Sequence, residues 1–134
     1  MQSTEPKLVE LPKITDLRGN LSFIQSPQSV PFDIARCYWV YDVPSGLSRD
    51  GHAYYTSWEL IVALNGAFDV TVDDQHKTTT YHLQRPNQGL LVPPMHWRTI
   101  ENFTTNGVAL VLSSSLYDAD DYILDYSNFK NIDD

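Results

Sequence analysis

The stretch Gly51-His52-Ala53-Tyr54-Tyr55-Thr56-Ser57-Trp58-Glu59 decides the predicted fold of this chain. It leads into the apolar run Leu60-Ile61-Val62-Ala63-Leu64. His52 and Tyr54 are two residues apart, so both side chains point from the same face of an extended segment. The apolar run that follows predicts a buried strand. The stretch therefore predicts a β-structure whose interior carries groups suited to acid/base chemistry.

Strand-like segments recur along the whole chain. They are short, rich in β-branched and aromatic residues, and bounded by turn residues. They comprise residues 20–24, 34–43, 59–64, 67–72, 78–83, 89–92 and 108–113. Asn65-Gly66 and Asp73-Asp74 predict two of the turns between them. So many strands in 134 residues favour an all-β barrel or sandwich. One helix is predicted over residues 118–130, packed on the outside through a stripe that includes Tyr122 and Phe129.

Composition limits the possible partners and the location of the protein. With 9 basic and 17 acidic residues the net charge is −8, which disfavours nucleic acid and anionic membranes as partners. Residues 1–6 lack the character of a signal peptide, and no apolar run approaches the ~18 residues of a membrane span. We expect one cytoplasmic domain over residues 1–134, structured from about residue 7 to residue 130. The lone Cys37 is predicted to be a small core residue.

Two motifs carry a resemblance to a known superfamily. The spacing of His52, Tyr54, Glu59 and Gly66 resembles the first cupin motif, whose usual form has a second histidine at the position of Tyr54. The stretch Gly89-Leu90-Leu91-Val92-Pro93-Pro94-Met95-His96-Trp97-Arg98 resembles the second motif. The resemblance implies an all-β, RmlC-like cupin fold: a jelly-roll β-barrel with a short C-terminal helix.

Longer stretches resemble one cupin family, the dTDP-sugar 3,4-ketoisomerases of the WxcM-like, FdtA type. The matching stretches are Asp16-Leu17-Arg18-Gly19-Asn20-Leu21, Pro31-Phe32-Asp33-Ile34-Ala35-Arg36-Cys37-Tyr38-Trp39-Val40-Tyr41, Gly51-His52-Ala53, Leu64-Asn65-Gly66-Ala67-Phe68-Asp69-Val70, Gly89-Leu90, Trp97-Arg98 and Tyr117-Asp118-Ala119-Asp120-Asp121-Tyr122-Ile123. The resemblance implies a homodimer that converts dTDP-4-keto-6-deoxy-glucose to a 3-keto isomer without cofactor or metal. The product would feed amino-sugar synthesis for bacterial surface glycans such as lipopolysaccharide and S-layer glycans.

The resemblance also implies roles for individual residues. The family motif has histidine where this chain has Tyr54, so the base role falls to His52, whose ordinary pKa of about 6.5 suits proton transfer near neutrality. Tyr54 and Tyr38 are expected to act as proton relay or donor. Arg18 and Arg98 are expected near the diphosphate, because guanidinium groups donate paired hydrogen bonds to phosphate.

Two further residues are assigned to substrate binding with alternatives left open. Glu59 could orient His52 and fix its tautomer, act as a base itself, or begin a strand and point to solvent. Trp97 could pack on thymine or on the sugar, or fill the core.

Two other functions remain open at this point. His52, Glu59 and His96 together make a two-histidine, one-carboxylate set of the type that binds divalent metals, which would indicate a metal-dependent cupin enzyme. Alternatively, the replacement of histidine by Tyr54 could leave a non-catalytic cupin that binds a dTDP-sugar without turnover.

Overall fold

The computed structural model describes residues 5–44 and 46–132, which form twelve short strands, one 3-10 turn and one α-helix. The strands are β1 Lys7–Glu10, β2 Lys13–Asp16, β3 Gly19–Ser22, β4 Arg36–Val40, β5 Arg49–Tyr54, β6 Glu59–Asn65, β7 Phe68–Asp73, β8 Thr78–Leu83, β9 Gln88–Val92, β10 Trp97–Glu101, β11 Val108–Ser113 and β12 Tyr122–Ile123. The 3-10 turn spans Ala119–Asp121 and helix α1 spans Tyr126–Asn131. Residues 1–4, where no signal peptide is predicted, and residues 45 and 133–134 of the predicted domain lie outside the described residues.

The strands form two five-stranded antiparallel sheets and a separate hairpin. The first sheet has the order β1-β9-β6-β11-β4, and the second has the order β12-β5-β10-β7-β8. Strands β2 and β3 pair only with each other, and their residues are exposed. The architecture is all-β with a short C-terminal helix, as the sequence predicts.

The main core is formed by residues of both sheets. Ile61 and Ala63 of β6 and Phe68, Val70 and Val72 of β7 all belong to one buried cluster, at the alternate positions expected of strands.

The other face of the first sheet is also partly covered. Leu60, Val62 and Leu112 pack there with the buried Val30 from the segment between β3 and β4. Strand β6 is therefore buried on both faces over most of its length, which explains its uninterrupted apolar sequence.

The predicted strands and turns are largely present. Strands β8 and β11 have the predicted bounds, and Gly66 provides the positive φ of 65° in the turn between β6 and β7. The segment 34–43 is too long as predicted, because strand β4 covers only Arg36–Val40. Strands β1, β2, β5, β10 and β12 are missing from the predicted segments, although the spacing of His52 and Tyr54 did indicate an extended stretch at β5.

The prediction of one helix over residues 118–130 is wrong for its first half. Asp118 caps the short 3-10 turn, and strand β12 then pairs Tyr122 with Tyr54. Helix α1 begins only after Asp125, whose carboxylate accepts a hydrogen bond from the backbone N–H of Asn128. Phe129 of α1 is fully buried against the second sheet, so the helix does pack on the outside as predicted.

Two further observations complete the fold. Cys37 is exposed rather than part of the core, because it lies on the outward face of the edge strand β4 between two half-buried residues. Among the described residues, no helix has the length and apolar character needed to span a membrane.

Candidate active site

The inward faces of the two sheets change from apolar to polar toward one end of the core. On β6 the inward position before Ile61 is Glu59, and on β10 the position before Ile100 is Arg98. His52 of β5 lies directly opposite Arg98 in the strand register. Polar groups from both sheets therefore meet inside the fold, next to its apolar core.

A cavity of about 470 Å³ opens at this polar end. Its polar lining comes mainly from Arg36, Tyr38, His52, Arg98 and Tyr122. Apolar side chains form the rest of the wall, among them those of Val40, Ile100 and Leu124. A concave, mostly apolar pocket with a few converging polar groups is the usual form of a small-molecule site.

A buried ion pair joins the two sheets behind this cavity. Arg98 Nε donates to Glu59 Oε1 at 2.9 Å and Arg98 Nη2 donates to Oε2 at 3.3 Å, with side chains only 4% and 2% exposed. Burial alone would raise the pKa of Glu59, but the charge and hydrogen bonds of Arg98 lower it. Glu59 is therefore an ionised carboxylate inside the fold, and the expectation that it points to solvent is wrong.

Two tyrosine hydroxyls complete the coordination of this carboxylate. Tyr38 Oη donates to Glu59 Oε2 at 2.6 Å and accepts a hydrogen bond from Arg98 Nη2 at 2.7 Å. Tyr54 Oη donates to the same Oε2 at 3.0 Å. Burial is the main cause that raises the pKa of both tyrosines, and the Glu59 charge adds to it. Both phenols therefore hold their protons at neutral pH.

His52 lies between this buried network and the cavity. Its Nε2 is 3.1 Å from Tyr54 Oη, and its ring makes edge contacts with Tyr54 and a tilted contact with Tyr122. Burial and the charge of Arg98, with a smaller effect of Arg36, lower the pKa of His52 to about 3 against the opposing effect of Glu59. The imidazole is therefore neutral at physiological pH, the state in which it can accept a proton.

Arg36 is a cavity residue that the sequence reasoning missed. Its guanidinium lies over the rings of Tyr38 and Tyr117, with 5.4 Å and 5.8 Å to the ring centroids. Arg36 Nη2 donates to Tyr122 Oη at 3.4 Å, whereas the buried Nε has no hydrogen-bond partner. Among the described residues no carboxylate pairs with it. Arg36 precedes Tyr38 by two residues in a predicted strand, so both side chains point to the same face, and this spacing could have identified Arg36 as a cavity residue.

Tyr122 is the second cavity residue that was missed, since it was assigned to a helix. Strand β12 places it beside Tyr54, with ring centroids 4.7 Å apart. The preceding Asp121 fixes this segment, because its carboxylate accepts hydrogen bonds from the backbone and hydroxyl groups of Thr56 and Ser57. The turn after β5 and the C-terminal segment are thus held together at the cavity wall.

Three predicted substrate-binding residues occupy different environments. Arg98 lines the cavity, but its guanidinium is engaged by Glu59 and Tyr38. Arg18 lies at the tip of the β2–β3 hairpin with its side chain 90% exposed, and it pairs with Asp16 at 2.6 Å. Trp97 points to the opposite face of β10 from Arg98 and packs on Tyr126 and Phe129 of α1. The structure therefore does not bring Arg18 or Trp97 into the cavity of this chain.

The predicted metal set is not assembled. His96 is buried in a different small cavity, near Val72 and Asp74, and its Nδ1 hydrogen-bonds the carbonyl of Pro94 at 2.9 Å. Within residues 5–44 and 46–132 no cluster of three histidine, cysteine or carboxylate side chains could hold a metal ion. The interpretation as a metal-dependent enzyme using His52, Glu59 and His96 thus has no geometric support.

The chain is similar to known proteins over nearly its whole length. Over 126 residues the chain is 36% identical to the TDP-4-oxo-6-deoxy-alpha-D-glucose-3,4-oxoisomerase of Aneurinibacillus thermoaerophilus, covering 94% of this chain and 91% of that protein. The solved WlaRB TDP-quinovose 3,4-ketoisomerase of Campylobacter jejuni is similar with a TM-score of 0.91 and 31% identity, covering 97% of this chain and all of that one (100%).

A third relative was solved with a sugar nucleotide bound. It is a histidine-to-asparagine variant of the 3,4-ketoisomerase QdtA from Thermoanaerobacterium thermosaccharolyticum, in complex with TDP-4-keto-6-deoxyglucose. Its TM-score is 0.92 with 29% identity, and the match covers 98% of this chain and 94% of that chain.

The two-sheet fold is that of an RmlC-like cupin. Residues 4–134 match the FdtA family, described as WxcM-like, C-terminal, and the chain belongs to that family.

Proposed function

We propose that this protein is a sugar-nucleotide 3,4-ketoisomerase that converts dTDP-4-keto-6-deoxy-glucose to a dTDP-3-keto-6-deoxy-hexose through an enediol intermediate. The observation that carries the proposal is a neutral His52 in a cavity that also holds Arg36, a cation that no carboxylate of the described residues pairs. Relatives with 3,4-ketoisomerase activity match nearly the whole length of the chain, which supports the same reaction class.

The reaction moves one hydrogen from C3 to C4 and a second hydrogen from the oxygen at C3 to the oxygen at C4. His52 removes the C3 proton, which the adjacent ketone acidifies, and the electron pair of the C3–H bond forms the C3=C4 double bond of an enediolate. The imidazolium then returns the proton to C4, while the O3 proton is transferred to the oxygen at C4 as the C3=O bond forms. Hydrogen is conserved and no electron leaves the sugar, so the proposed chemistry requires no cofactor.

Arg36 is the proposed partner for the negative charge of the substrate. Its side chain lines the same cavity as His52, and no carboxylate of the described residues pairs with its guanidinium. Arg98 has its guanidinium committed to Glu59 and Tyr38, so we assign it to holding these groups rather than to the diphosphate. A guanidinium that lines the cavity supplies the positive charge that stabilises an enediolate in such a reaction.

The other tyrosine, arginine and tryptophan residues of this proposal have separate roles. Tyr38 and Tyr122 line the cavity and are the proposed carriers of the oxygen-to-oxygen proton transfer. Arg18 stays a proposed diphosphate contact, since its exposed pair with Asp16 is of a type worth little energy and can be exchanged for phosphate. Trp97 is proposed to act through the packing of α1, because it faces that helix.

The proposal is tested by proton NMR of dTDP-4-keto-6-deoxy-glucose in D₂O. We expect a new 3-keto species with deuterium at C4. The same reaction run in H₂O keeps the C4 proton, whose coupling to the C5 proton assigns the gluco or galacto product. His52→Asn is expected to abolish exchange while dTDP binding is retained. His82→Asn is the matched control, because His82 is exposed and pairs with Asp69 away from the cavity. Tight dTDP binding without exchange in the unmodified protein would instead indicate the non-catalytic binding cupin.

We further propose that the protein is a homodimer formed through the outer face of the first sheet. Trp39, Tyr41 and Leu64 are 58%, 59% and 49% exposed, and with Leu110 they line an apolar groove of about 670 Å³. Contiguous apolar surface of this kind is typical of an interface. Sedimentation should give a dimer that Trp39→Glu converts to a monomer, whereas Leu116→Glu, on an exposed residue outside the groove, should leave it unchanged.

The biological setting follows from the proposed reaction. A 3-keto sugar nucleotide is the substrate that an aminating enzyme needs to make a 3-amino sugar, so we propose a role in bacterial surface-glycan synthesis, including lipopolysaccharide and S-layer glycans. The cytoplasm, where nucleotide-activated sugars are handled, stays the predicted location.

A further inference from the structure

Tyr54 differs from the other tyrosines near His52 in its position. Its side chain is buried at 5% exposure, and it does not line the cavity. It lies behind His52, between Nε2 of the imidazole and Oε2 of Glu59. Its hydroxyl therefore contacts the base from the side away from the substrate.

The hydrogen-bond roles within this chain of groups follow from counting protons. Arg98 keeps Glu59 ionised, so both carboxylate oxygens can only accept hydrogen bonds. Two oxygen atoms 3.0 Å apart, one of them on this carboxylate, need a proton between them, and that proton must be the one on Tyr54. A phenol has one O–H, so Tyr54 can only accept in its contact with His52.

The same count of protons determines which nitrogen of the His52 imidazole carries the proton. His52 Nε2 is 3.1 Å from a hydroxyl oxygen whose proton is already donated elsewhere. A hydrogen bond exists there only if Nε2 carries a proton. A neutral imidazole has one N–H, which leaves the lone pair on Nδ1. Within the described part of the chain, no hydrogen bond reaches Nδ1.

We infer that Tyr54 is a positioning residue that, with Glu59, holds His52 in the Nε2–H tautomer and leaves Nδ1 as the basic nitrogen for the substrate. The catalytic consequence rests on the proposed ketoisomerase function, whereas the tautomer is a property of the resting protein. The hydrogen-bonded series from Glu59 through Tyr54 to His52 orients the imidazole. In other acid/base sites a carboxylate does this directly. Glu59 thus acts on the histidine through an intervening phenol.

The tautomer is measured by long-range ¹H–¹⁵N correlation of the imidazole groups at neutral pH, without substrate. The chain has four histidines, and His52→Asn identifies the signals of His52 by their loss. We expect Nε2 to have the shift of a protonated nitrogen and Nδ1 that of an unprotonated one. A protonated Nδ1 in the unmodified protein overturns the inference.

Two tyrosine variants separate this role from general packing. Tyr54→Phe removes the acceptor, and we expect the Nδ1–H form to become populated, with kcat reduced about fivefold, the factor of one neutral hydrogen bond, and KM little changed. Tyr126→Phe is the control, since it also removes a phenol hydroxyl, one that donates to Asp73 and not to the groups around His52. It should leave the tautomer as it is.

The outcomes distinguish this inference from the proposed function. If Tyr54→Phe leaves the His52 spectrum unchanged, the positioning role is refuted whatever the activity. If the spectrum changes as expected but the unmodified protein shows no isomerase activity, the tautomer assignment stands and the proposed function fails.

Discussion

Replacement of Arg98 by methionine should expose how much the fold depends on the buried ion pair. The side chains of Arg98 and Glu59 are 4% and 2% exposed, so the variant leaves an ionised carboxylate inside the fold without its counter-ion. Charge centres about 4 Å apart interact by about 4 kcal/mol at an effective dielectric constant of about 20. Breaking one side of a buried pair is typically measured at about 3–5 kcal/mol. We therefore expect the free energy of unfolding to fall by about 4 kcal/mol at pH 8.

The pH dependence of this loss identifies its cause. Without Arg98, burial raises the pKa of Glu59 above its ordinary value of 4.5. A carboxyl whose pKa is raised in the folded state destabilises the protein when ionised, and this penalty decreases as the pH falls through the folded-state pKa. The difference between Arg98→Met and the unmodified protein should therefore shrink by about 1 kcal/mol or more from pH 8 to pH 5.

Urea unfolding followed by tryptophan fluorescence at both pH values is the measurement. Arg85→Met is the matched control, because Arg85 is exposed and its pair with Glu10 is long at 3.5 Å. It should change stability by less than about 1 kcal/mol. The double variant Glu59→Gln/Arg98→Met removes the charge and should be more stable than Arg98→Met alone. Equal losses at pH 8 and pH 5, or a double variant no more stable than the single one, would refute this reasoning.

Three further outcomes follow from the same region. The pKa of His52 is about 3 in the folded protein, against its ordinary value of 6.5. As the pH falls below about 6.5, His52 is protonated in the unfolded chain but not in the folded protein, so the free energy of unfolding decreases. Lowering the pH from 8 to 5 should cost at most about 2 kcal/mol more in the unmodified protein than in His52→Asn, by urea unfolding; an equal loss in both would contradict a neutral imidazole. Gly51→Ala should lower stability by about 1–3 kcal/mol in a thermal melt, because the added Cβ would collide with the Trp97 indole and lie 2.7 Å from Thr99 Oγ1. Trp97→Leu should lower Tm with unchanged dTDP affinity by calorimetry, and a tenfold weaker affinity would place the indole in the nucleotide site.

The all-β fold and the strand that carries His52 and Tyr54 could be predicted from the sequence because the relevant signals are local. His52, Tyr54 and the apolar run of β6 are contiguous in the chain, and their alternation determines which side chains share a face. The motif spacing also led to Glu59 and Arg98. It could not reveal that these two residues pair with each other, because they come from different sheets and meet only across the interior.

The parts that were missed depend on tertiary contacts. The segment after Asp118 has helical spacing, but Asp121 binds the turn at Thr56 and Ser57, which holds Tyr122 in an extended conformation against β5. Pairing with a distant strand thus overrides local propensity. Arg36 was missed for a related reason. An arginine in an aromatic strand is recognised as a candidate ligand-binding residue only when the structure shows that the carboxylates around it pair with other groups.

Cys37 gives this protein a natural labelling position. It is the one cysteine of the sequence, and its exposed thiol lies on the same face of β4 as Trp39 while its neighbour Tyr38 lines the cavity. A maleimide dye would attach at a single point without any engineered residue, at mildly alkaline pH because burial raises the pKa of the thiol. The rate of that reaction would report whether a second copy covers β4, and the fluorescence of the attached dye would report events at Tyr38 on the other side of the strand.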